Sequence, residues 1–153
     1  MNNGAKVNNY KENNNKYYMS YKEYMKALIA TEIFLDGYVN RKYDYIYGVP
    51  RGGLIPATYL SHKLEIPIII SLDNNYIPKR KGPISLLIVE DIIDSGETIN
   101  KIIKKLDIKI NEGIIDRYDI VSIVTRAKNK DIPIYTYRVQ KNNDWIIFPY
   151  EKH

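Results

Sequence analysis

Residues 85–98 read SLLIVEDIIDSGET, and this stretch decides the fold. It opens with an unbroken aliphatic run over residues 86–89. A run this short predicts a strand that is buried on both faces, as in a parallel sheet. Glu90 and Asp91 follow at once, and carboxylates that end a buried strand are costly unless they bind something at the sheet edge. In open α/β sheets, ligands bind at that carboxyl edge.

Residues 94–98 favour an anion site where the next helix begins. Aliphatic residues recur at helical spacing after them, at Ile99, Ile102, Ile103 and Leu106. Gly96 lets backbone amides approach a ligand closely. Free amides and hydroxyls at a helix N-terminus commonly bind phosphate. The whole stretch therefore predicts carboxylates for sugar hydroxyls or a metal, followed by a cradle for phosphate.

Residues 90–98, EDIIDSGET, resemble the motif of the type I phosphoribosyltransferases that binds 5-phosphoribosyl 1-pyrophosphate (PRPP). That motif has two acidic residues, two apolar residues and then Asp-Thr-Gly-x-Thr, and here Ser95 keeps the hydroxyl of the usual threonine. The resemblance implies an α/β fold with a mainly parallel central sheet flanked by helices, and a small hood built from the C-terminal segment.

The same resemblance assigns roles within the motif. Glu90 and Asp91 are expected to bind the ribose, with Asp91 also holding Mg²⁺ directly or through water. Asp94 is expected to be the catalytic base. The 5-phosphate is expected to bind Asp94, Ser95, Gly96, Glu97 and Thr98, with Glu97 contributing its backbone.

A second strand, loop and helix unit is predicted from strand 43–49, the loop Pro50-Arg51-Gly52-Gly53 and helix 54–64. Taken alone, this loop fits a tight turn with a surface arginine as well as it fits a phosphate site. Two such units in one small sheet favour a ligand with phosphates at both ends. By resemblance, Arg51, Gly52 and Gly53 bind the pyrophosphate, often through a cis peptide in this family.

The third predicted region is the base site. Arg126 follows a predicted strand over residues 118–125, and it is either a donor to a base carbonyl or a plain surface arginine. After a strand over 134–139, residues 144–151 read DWIIFPYE, which is similar to the C-terminus of the xanthine-guanine phosphoribosyltransferases. This resemblance implies that Arg126, Trp145 and Ile146 bind a purine, with the Trp145 ring stacking on it and the backbone of Trp145 and Ile146 reading the base edge. Lys128 is the alternative to Arg126.

Three further segments carry predictions. Ser20 and Glu23 form a capping box that predicts a helix over residues 20–38. Residues 67–70 are predicted to form a short strand. Residues 71–83 form a polar loop that is either a solvated connector or, by resemblance, a mobile lid whose Lys79, Arg80 and Lys81 meet pyrophosphate.

The composition bounds the class of protein. The chain has 153 residues, no cysteine and a net charge of +5, which suits a lysine-rich solvated surface or a polyanionic substrate. Residues 1–16, rich in Asn and Lys, are predicted to be a disordered tail, and residues 17–153 a single phosphoribosyltransferase domain. We expect a cytoplasmic homo-oligomer, a dimer or tetramer, without a membrane segment and without nucleic acid as a partner.

These observations lead to one function and two alternatives. The predicted activity is transfer of the 5-phosphoribosyl group from PRPP to a 6-oxopurine (guanine, xanthine or hypoxanthine) with release of pyrophosphate, supported by Mg²⁺. One alternative is a regulatory protein of the same fold that senses PRPP and binds nucleic acid. The other is a phosphoribosyltransferase for another base, such as orotate, adenine or uracil.

Overall fold

A computed structural model describes residues 15–38 and 42–151 of the chain. The helices and strands, in chain order, are β1 (Lys16–Tyr18), α1 (Tyr21–Gly37), β2 (Tyr45–Gly48), α2 (Leu54–Leu64), β3 (Ile84–Ile93), α3 (Glu97–Asn111), β4 (Ile115–Arg126), β5 (Tyr135–Gln140) and β6 (Trp145–Ile147). The main sheet has the order β2-β3-β4-β5 and is parallel throughout. A second, two-stranded parallel sheet pairs β1 with β6. The predicted fold class is confirmed.

The aliphatic run of β3 is buried on both faces, as predicted from its sequence. Leu86 and Ile88 pack into a cluster with residues of α3, whereas Leu87 and Val89 pack with residues of α1 and α2. All four side chains are almost fully withdrawn from solvent. Because side chains alternate between the faces of a strand, such double burial requires helices on both sides of the sheet.

The predicted helix is confirmed as α1, and its buried face consists of Tyr24, Ala27, Leu28, Thr31 and Leu35. Its N-cap is Ser20, whose hydroxyl accepts a hydrogen bond from the backbone N–H of Glu23 at 3.1 Å. The second half of the predicted capping box is absent. The Glu23 carboxylate instead accepts bonds from the hydroxyl of Tyr17 at 2.6 Å and the guanidinium of Arg138 at 3.1 Å. Glu23 therefore ties β1 and β5 to the helix.

Two strand predictions need correction. Residues 67–70 form no strand of their own and contribute only an isolated parallel bridge between Ile68 and Ile46. Strand β3 is longer than the predicted aliphatic run and continues to Ile93, so Glu90 and Asp91 lie inside it. The extension is possible because β4 continues alongside, with Ile92 and Ile93 opposite Val124 and Thr125.

The hood is formed by both ends of the described chain, not by the C-terminal segment alone. Lys16 lies opposite Trp145 in the β1–β6 pair, and the backbone N–H of Trp145 donates to the carbonyl of Asn15 at 2.7 Å. The prediction of a disordered tail is therefore wrong for Asn15 and Lys16, because these two residues pair with β6. The rest of that prediction, residues 1–14, lies outside the described residues.

The lid prediction for residues 71–83 does not agree with this structure. The Arg80 guanidinium pairs with the carboxylate of Asp44 at 2.6 Å, and Asp44 also accepts a bond from the backbone N–H of Ser85. Asp44 and Ser85 lie where β2 and β3 begin, at the edge opposite the motif loop. A chain that must start the parallel strand β3 at Ile84 has to return to that edge, so Lys79, Arg80 and Lys81 are carried there with it.

None of the described helices is long and apolar enough to cross a membrane.

Candidate active site

The register of the main sheet brings the two predicted phosphate loops together. Gly48, the last residue of β2, lies opposite Val89 in β3. The loop that leaves β2 therefore passes beside Glu90 and Asp91, and the N–H of Val49 donates to the carbonyl of Val89 at 2.9 Å. The peptide bond between Pro50 and Arg51 is cis. Both loops thus share one end of the sheet, as the sequence predicted.

Asp91 is the residue at which these loops meet. A Cβ atom added to Gly52 would lie 1.7 Å from Oδ2 of Asp91, so only glycine fits at this contact. The Asp91 carboxylate is held by the backbone N–H of Ile92 at 2.8 Å and by the hydroxyl of Tyr150 at 2.9 Å. A cavity of about 560 Å³ opens here, lined by Arg51, Gly52, Ile55, Asp91, Tyr150 and Glu151. Arg51 is exposed and supplies a positive charge to the lining of this cavity.

Glu90 is buried beside Asp91, and its environment favours the neutral acid. Burial and, after it, the neighbouring Asp91 carboxylate together raise its pKa to about 9. One carboxyl oxygen of Glu90 accepts a bond from the N–H of Asp91 at 3.0 Å. In the protein without ligand, this pair therefore carries less than two negative charges at neutral pH.

The loop that the sequence predicts as a 5-phosphate cradle leads directly into helix α3. Gly96 has φ of +84° and directly precedes α3, and the hydroxyl of Ser95 accepts a bond from the N–H of Glu97 at 3.2 Å. The Glu97 carboxylate pairs with the ammonium group of Lys101 at 2.9 Å, so the side chain points along the helix and leaves the backbone facing the loop. The Lys101 ammonium group also lowers the pKa of the Glu97 carboxyl. A small cavity of about 90 Å³ is lined by Glu90, Ile92, Ile93, Asp94, Ser95, Gly96, Thr98 and Ile99.

A magnesium ion fits this site only together with a phosphate ligand. Among residues 15–38 and 42–151, no group of three or more His, Cys, Asp or Glu side chains could enclose a metal. Mg²⁺ in phosphate-binding sites usually takes only one or two protein carboxylates, and its other ligands are phosphate oxygens and water. Asp91 provides such a carboxylate, with lone pairs left beyond its two hydrogen bonds.

Asp94 lies between the phosphate cradle and a second cavity. That second cavity, of about 450 Å³, is lined by Asp94, Arg126, Ala127, Lys128, Gln140, Lys141, Asn142, Asn143 and Trp145. Its place follows from the register of the sheet. Ile93 lies opposite Thr125, and Arg126 lies opposite Gln140, so the residues that follow these strands converge.

Arg126 is bonded to both sides of this second cavity. Its Nε donates to Oδ1 of Asp94 at 2.8 Å, and its two terminal nitrogens donate to the carbonyls of Asn142 and Asp144, each at 2.9 Å. Its side chain is only 12 % exposed. Lys128 is exposed on the same cavity and has no hydrogen-bond or ion-pair partner among the described residues.

Trp145 and Ile146 are placed differently by the hood. Trp145 lines the second cavity and is 55 % exposed, which leaves its ring accessible to a ligand. The side chain of Ile146 is buried in a cluster with Met19, Tyr24 and other apolar residues, away from the cavity lining. The backbone N–H of Trp145 donates to the carbonyl of Asn15, so it is not available to read a base edge.

Two residues of the site were missed by the sequence analysis: Tyr150 and Glu151. Tyr150 is stacked on Phe148 with ring centroids 5.4 Å apart, which points its hydroxyl at Asp91. Burial and the nearby Asp91 charge raise the pKa of Tyr150, so its hydroxyl remains a donor at neutral pH. Glu151 accepts a bond from the N–H of Phe148 at 2.7 Å. The available signal was the Pro-aromatic-acid end of the C-terminal motif, residues 149–151. The sequence analysis had assigned this motif only to binding of the base.

Comparison with known proteins establishes the family. The phosphoribosyl transferase domain profile matches residues 20–151. The chain belongs to this family.

Individual relatives give a finer comparison. The chain is 23 % identical over 129 residues to the xanthine-guanine phosphoribosyltransferase of Cereibacter sphaeroides, covering 73 % of this chain and 71 % of that protein. It is 33 % identical over 90 residues to the orotate phosphoribosyltransferase of Bartonella bacilliformis, covering 52 % of this chain and 47 % of that protein. Among solved structures, the purine phosphoribosyltransferase of Pyrococcus horikoshii superposes with a TM-score of 0.72 and 27 % identity, over 91 % of this chain and 96 % of that one.

Proposed function

We propose that this phosphoribosyltransferase uses a 6-oxopurine as the acceptor base and PRPP as the donor. The observation that carries the proposal is the position of Asp94, which lines both the small phosphate cradle and the larger cavity that contains Trp145. A general base has to lie between the sugar carbon and the base nitrogen that are joined. Asp94 is the carboxylate at that border.

In the proposed reaction, the bond between C1 of the ribose and the pyrophosphate oxygen breaks, and a bond from C1 to a purine nitrogen forms. The purine nitrogen loses its proton to Asp94. Positive charge develops at C1 in the transition state, and fixed negative charge nearby stabilises it. Asp91 supplies that charge from β3, and Glu90 joins it when it ionises.

The phosphates are held by the two loops. Residues 95–98 bind the 5-phosphate through backbone N–H groups and hydroxyls at the start of α3, where the helix dipole favours an anion. Arg51, Gly52 and Gly53 bind the pyrophosphate next to Asp91. Mg²⁺ bound with PRPP at Asp91 would neutralise charge on the departing pyrophosphate.

The choice of a 6-oxopurine rests on the second cavity. Trp145 offers an aromatic face, and the exposed ammonium group of Lys128 offers a donor for a carbonyl oxygen of the base. The similarity to a xanthine-guanine and to a purine phosphoribosyltransferase supports the same class of base. The similarity to an orotate phosphoribosyltransferase makes orotate the second candidate, because orotate also presents carbonyl oxygens and adds a carboxylate.

The test is pyrophosphate release from PRPP and Mg²⁺ with each base supplied alone: guanine, xanthine, hypoxanthine, adenine, uracil and orotate. We expect turnover with one or more of the first three. Turnover with orotate only would replace the purine assignment, and no release with any base would reject the proposed reaction. PRPP binding measured by calorimetry then distinguishes a protein that binds PRPP without transferring it.

A further inference from the structure

We propose that Arg126 is a positioning residue and not the base reader. It fixes the Asp94 carboxylate to residues 142–144 at the opposite side of the base cavity, and it leaves recognition of a base carbonyl to Lys128. This inference rests on the proposed function, because it assigns the base end of that same site.

The first support is the number of bonds that Arg126 makes. Each of its three nitrogens already donates to an acceptor in the protein, one being Oδ1 of Asp94 and two being backbone carbonyls of the β5–β6 loop. A guanidinium is a planar fork that bonds several acceptors at fixed angles, which suits a bridge between two loops. One N–H of each terminal nitrogen is left without an acceptor in the described part of the chain, but any shift of the guanidinium towards a base would break bonds on both sides.

The second support is the contrast in exposure between two neighbouring cations. The Arg126 side chain is 12 % exposed, whereas Asp94, to which it donates, is 53 % exposed. The guanidinium is thus largely shielded from solvent, whereas the Asp94 carboxylate is accessible. Lys128 is exposed and lines the same cavity, and no described residue bonds its ammonium group. Lys128 is therefore free to donate to a ligand, whereas Arg126 is engaged.

The third support is that the segment after β4 holds the motif loop at a second point. The side-chain amide of Asn129 donates to the carbonyl of Asp94 at 2.7 Å, and Asn129 lies so close to Gly96 that an added Cβ would be 2.9 Å from its Oδ1. Asn129 makes this contact without touching residues 142–144. Of the two anchors, Arg126 is the one that also connects the motif loop to the base cavity.

The two roles predict different kinetics. If Arg126 positions Asp94 and the base loop together, its loss should lower kcat and raise the KM for the base. A lysine at 126 should not restore function, since a single ammonium cannot bridge three separate acceptors. If Arg126 simply read a base carbonyl, lysine would supply that one donor and restore most of the activity.

The experiment compares Arg126→Met, Arg126→Lys and Lys128→Met in the full chain, with Lys130→Met as the matched control. Lys130 is exposed and outside the cavity lining, so its variant removes one charge from the same segment without altering the site. For both Arg126 variants we expect kcat to fall about 10- to 100-fold through misplacement of Asp94, with the Kd of PRPP unchanged. For Lys128→Met we expect the base KM to rise about tenfold with kcat unchanged.

A spectroscopic readout tests the bridge without turnover. Trp145 is the only tryptophan of the chain and follows Asp144, whose carbonyl Arg126 holds. Arg126→Met should therefore lower the fluorescence anisotropy of Trp145 in the protein without ligand, and Lys130→Met should not.

Three results would overturn the inference: normal kcat in Arg126→Lys, an unchanged base KM in Lys128→Met, or unchanged Trp145 anisotropy in Arg126→Met. Absence of turnover in the parent protein would instead reject the proposed function. The anisotropy comparison would still decide whether Arg126 bridges the two loops.

Discussion

The two halves of the site are built in different ways. The half that we propose binds PRPP (the PRPP half, residues 49–53 and 90–98) consists of two loops that follow neighbouring strands, β2 and β3, of one continuous sheet. The half that we propose binds the base (the base half, residues 126–128 and 140–146) depends on β6, whose partner strand comes from the other end of the described chain. Substitutions in the PRPP half should therefore act directly on PRPP or on the chemistry. Binding at the base half can also be weakened by substitutions outside the cavity, at Tyr17, Glu23 or Arg138, because their hydrogen bonds connect β1 and β5 to α1.

The largest effect is expected where the halves meet. Asp94→Asn keeps a side-chain oxygen that accepts a hydrogen bond from Arg126. The bond between the two residues therefore survives, while the general base of the reaction is lost. We expect kcat to fall by about 10²- to 10⁴-fold, the usual contribution of general base catalysis, with the Kd of PRPP unchanged. Pyrophosphate release and calorimetry with PRPP and Mg²⁺ measure the two quantities.

Asp116→Asn is the matched control for that variant, because Asp116 is exposed near the start of β4 at the opposite edge of the sheet. It should be indistinguishable from the parent protein. Turnover near the parent rate in Asp94→Asn would remove Asp94 from the proposed mechanism.

The next effect isolates the PRPP half. In Gly52→Ala the new Cβ would overlap the Asp91 carboxylate, which cannot move freely because Ile92 and Tyr150 hold it. Overpacking of this kind costs about 1–3 kcal/mol, so we expect the Kd of PRPP to rise about 10- to 100-fold. Gly37→Ala is the control, since an added Cβ there meets nothing within 4 Å. An unchanged Kd for PRPP in Gly52→Ala would contradict the placement of pyrophosphate at this contact.

A smaller effect isolates the base half. Trp145→Ala removes an exposed ring from the second cavity without touching Asp91 or the cradle. Aromatic contacts contribute about 0.5–1.5 kcal/mol beyond burial, so the base KM should rise about two- to tenfold while the Kd of PRPP stays unchanged. Trp145→Phe, which keeps an aromatic face, should recover most of the loss. Equal base KM values for the alanine variant and the parent protein would rule out stacking.

The last effect is on the stability of the fold, not on binding or turnover, and it depends on pH. Folded Glu90 keeps its proton up to a pKa of about 9, whereas an unfolded glutamate loses it near 4.5. The unfolded state therefore binds fewer protons between these values, and the parent protein loses stability as the pH rises through that window. Glu90→Gln has no proton to lose, so its advantage in Tm should grow from pH 5 to pH 9.

Thermal unfolding without PRPP and Mg²⁺ measures this difference, with about 2–4 °C expected for each kcal/mol in a protein of this size. Glu112→Gln serves as the control, because it removes the same type of carboxylate from an exposed position. The same Tm difference at pH 5 and pH 9 would show that Glu90 is ionised when folded.

Much of the PRPP half could be predicted because each step depends on neighbouring residues. Residues 86–98 contain the buried strand, the carboxylates and the helix start, and the order of these features along the chain is also their order in space. The base half could not be predicted in the same way. The pairing of Lys16 with Trp145 joins residues far apart in sequence, and no local sequence pattern predicts it. Tyr150 was missed for the same reason, because its hydroxyl reaches Asp91 only through the packing of Phe148.

The sequence by itself determined the class of fold, the family and the two loops that share one end of the sheet. Hydrophobic runs, glycines and carboxylates at fixed spacing carry that information over short distances. The tertiary structure alone decided which edge of the sheet Arg80 occupies and where Arg126 is bonded. Those outcomes depend on strand register and on the direction in which the chain returns, and both are settled by packing between distant segments.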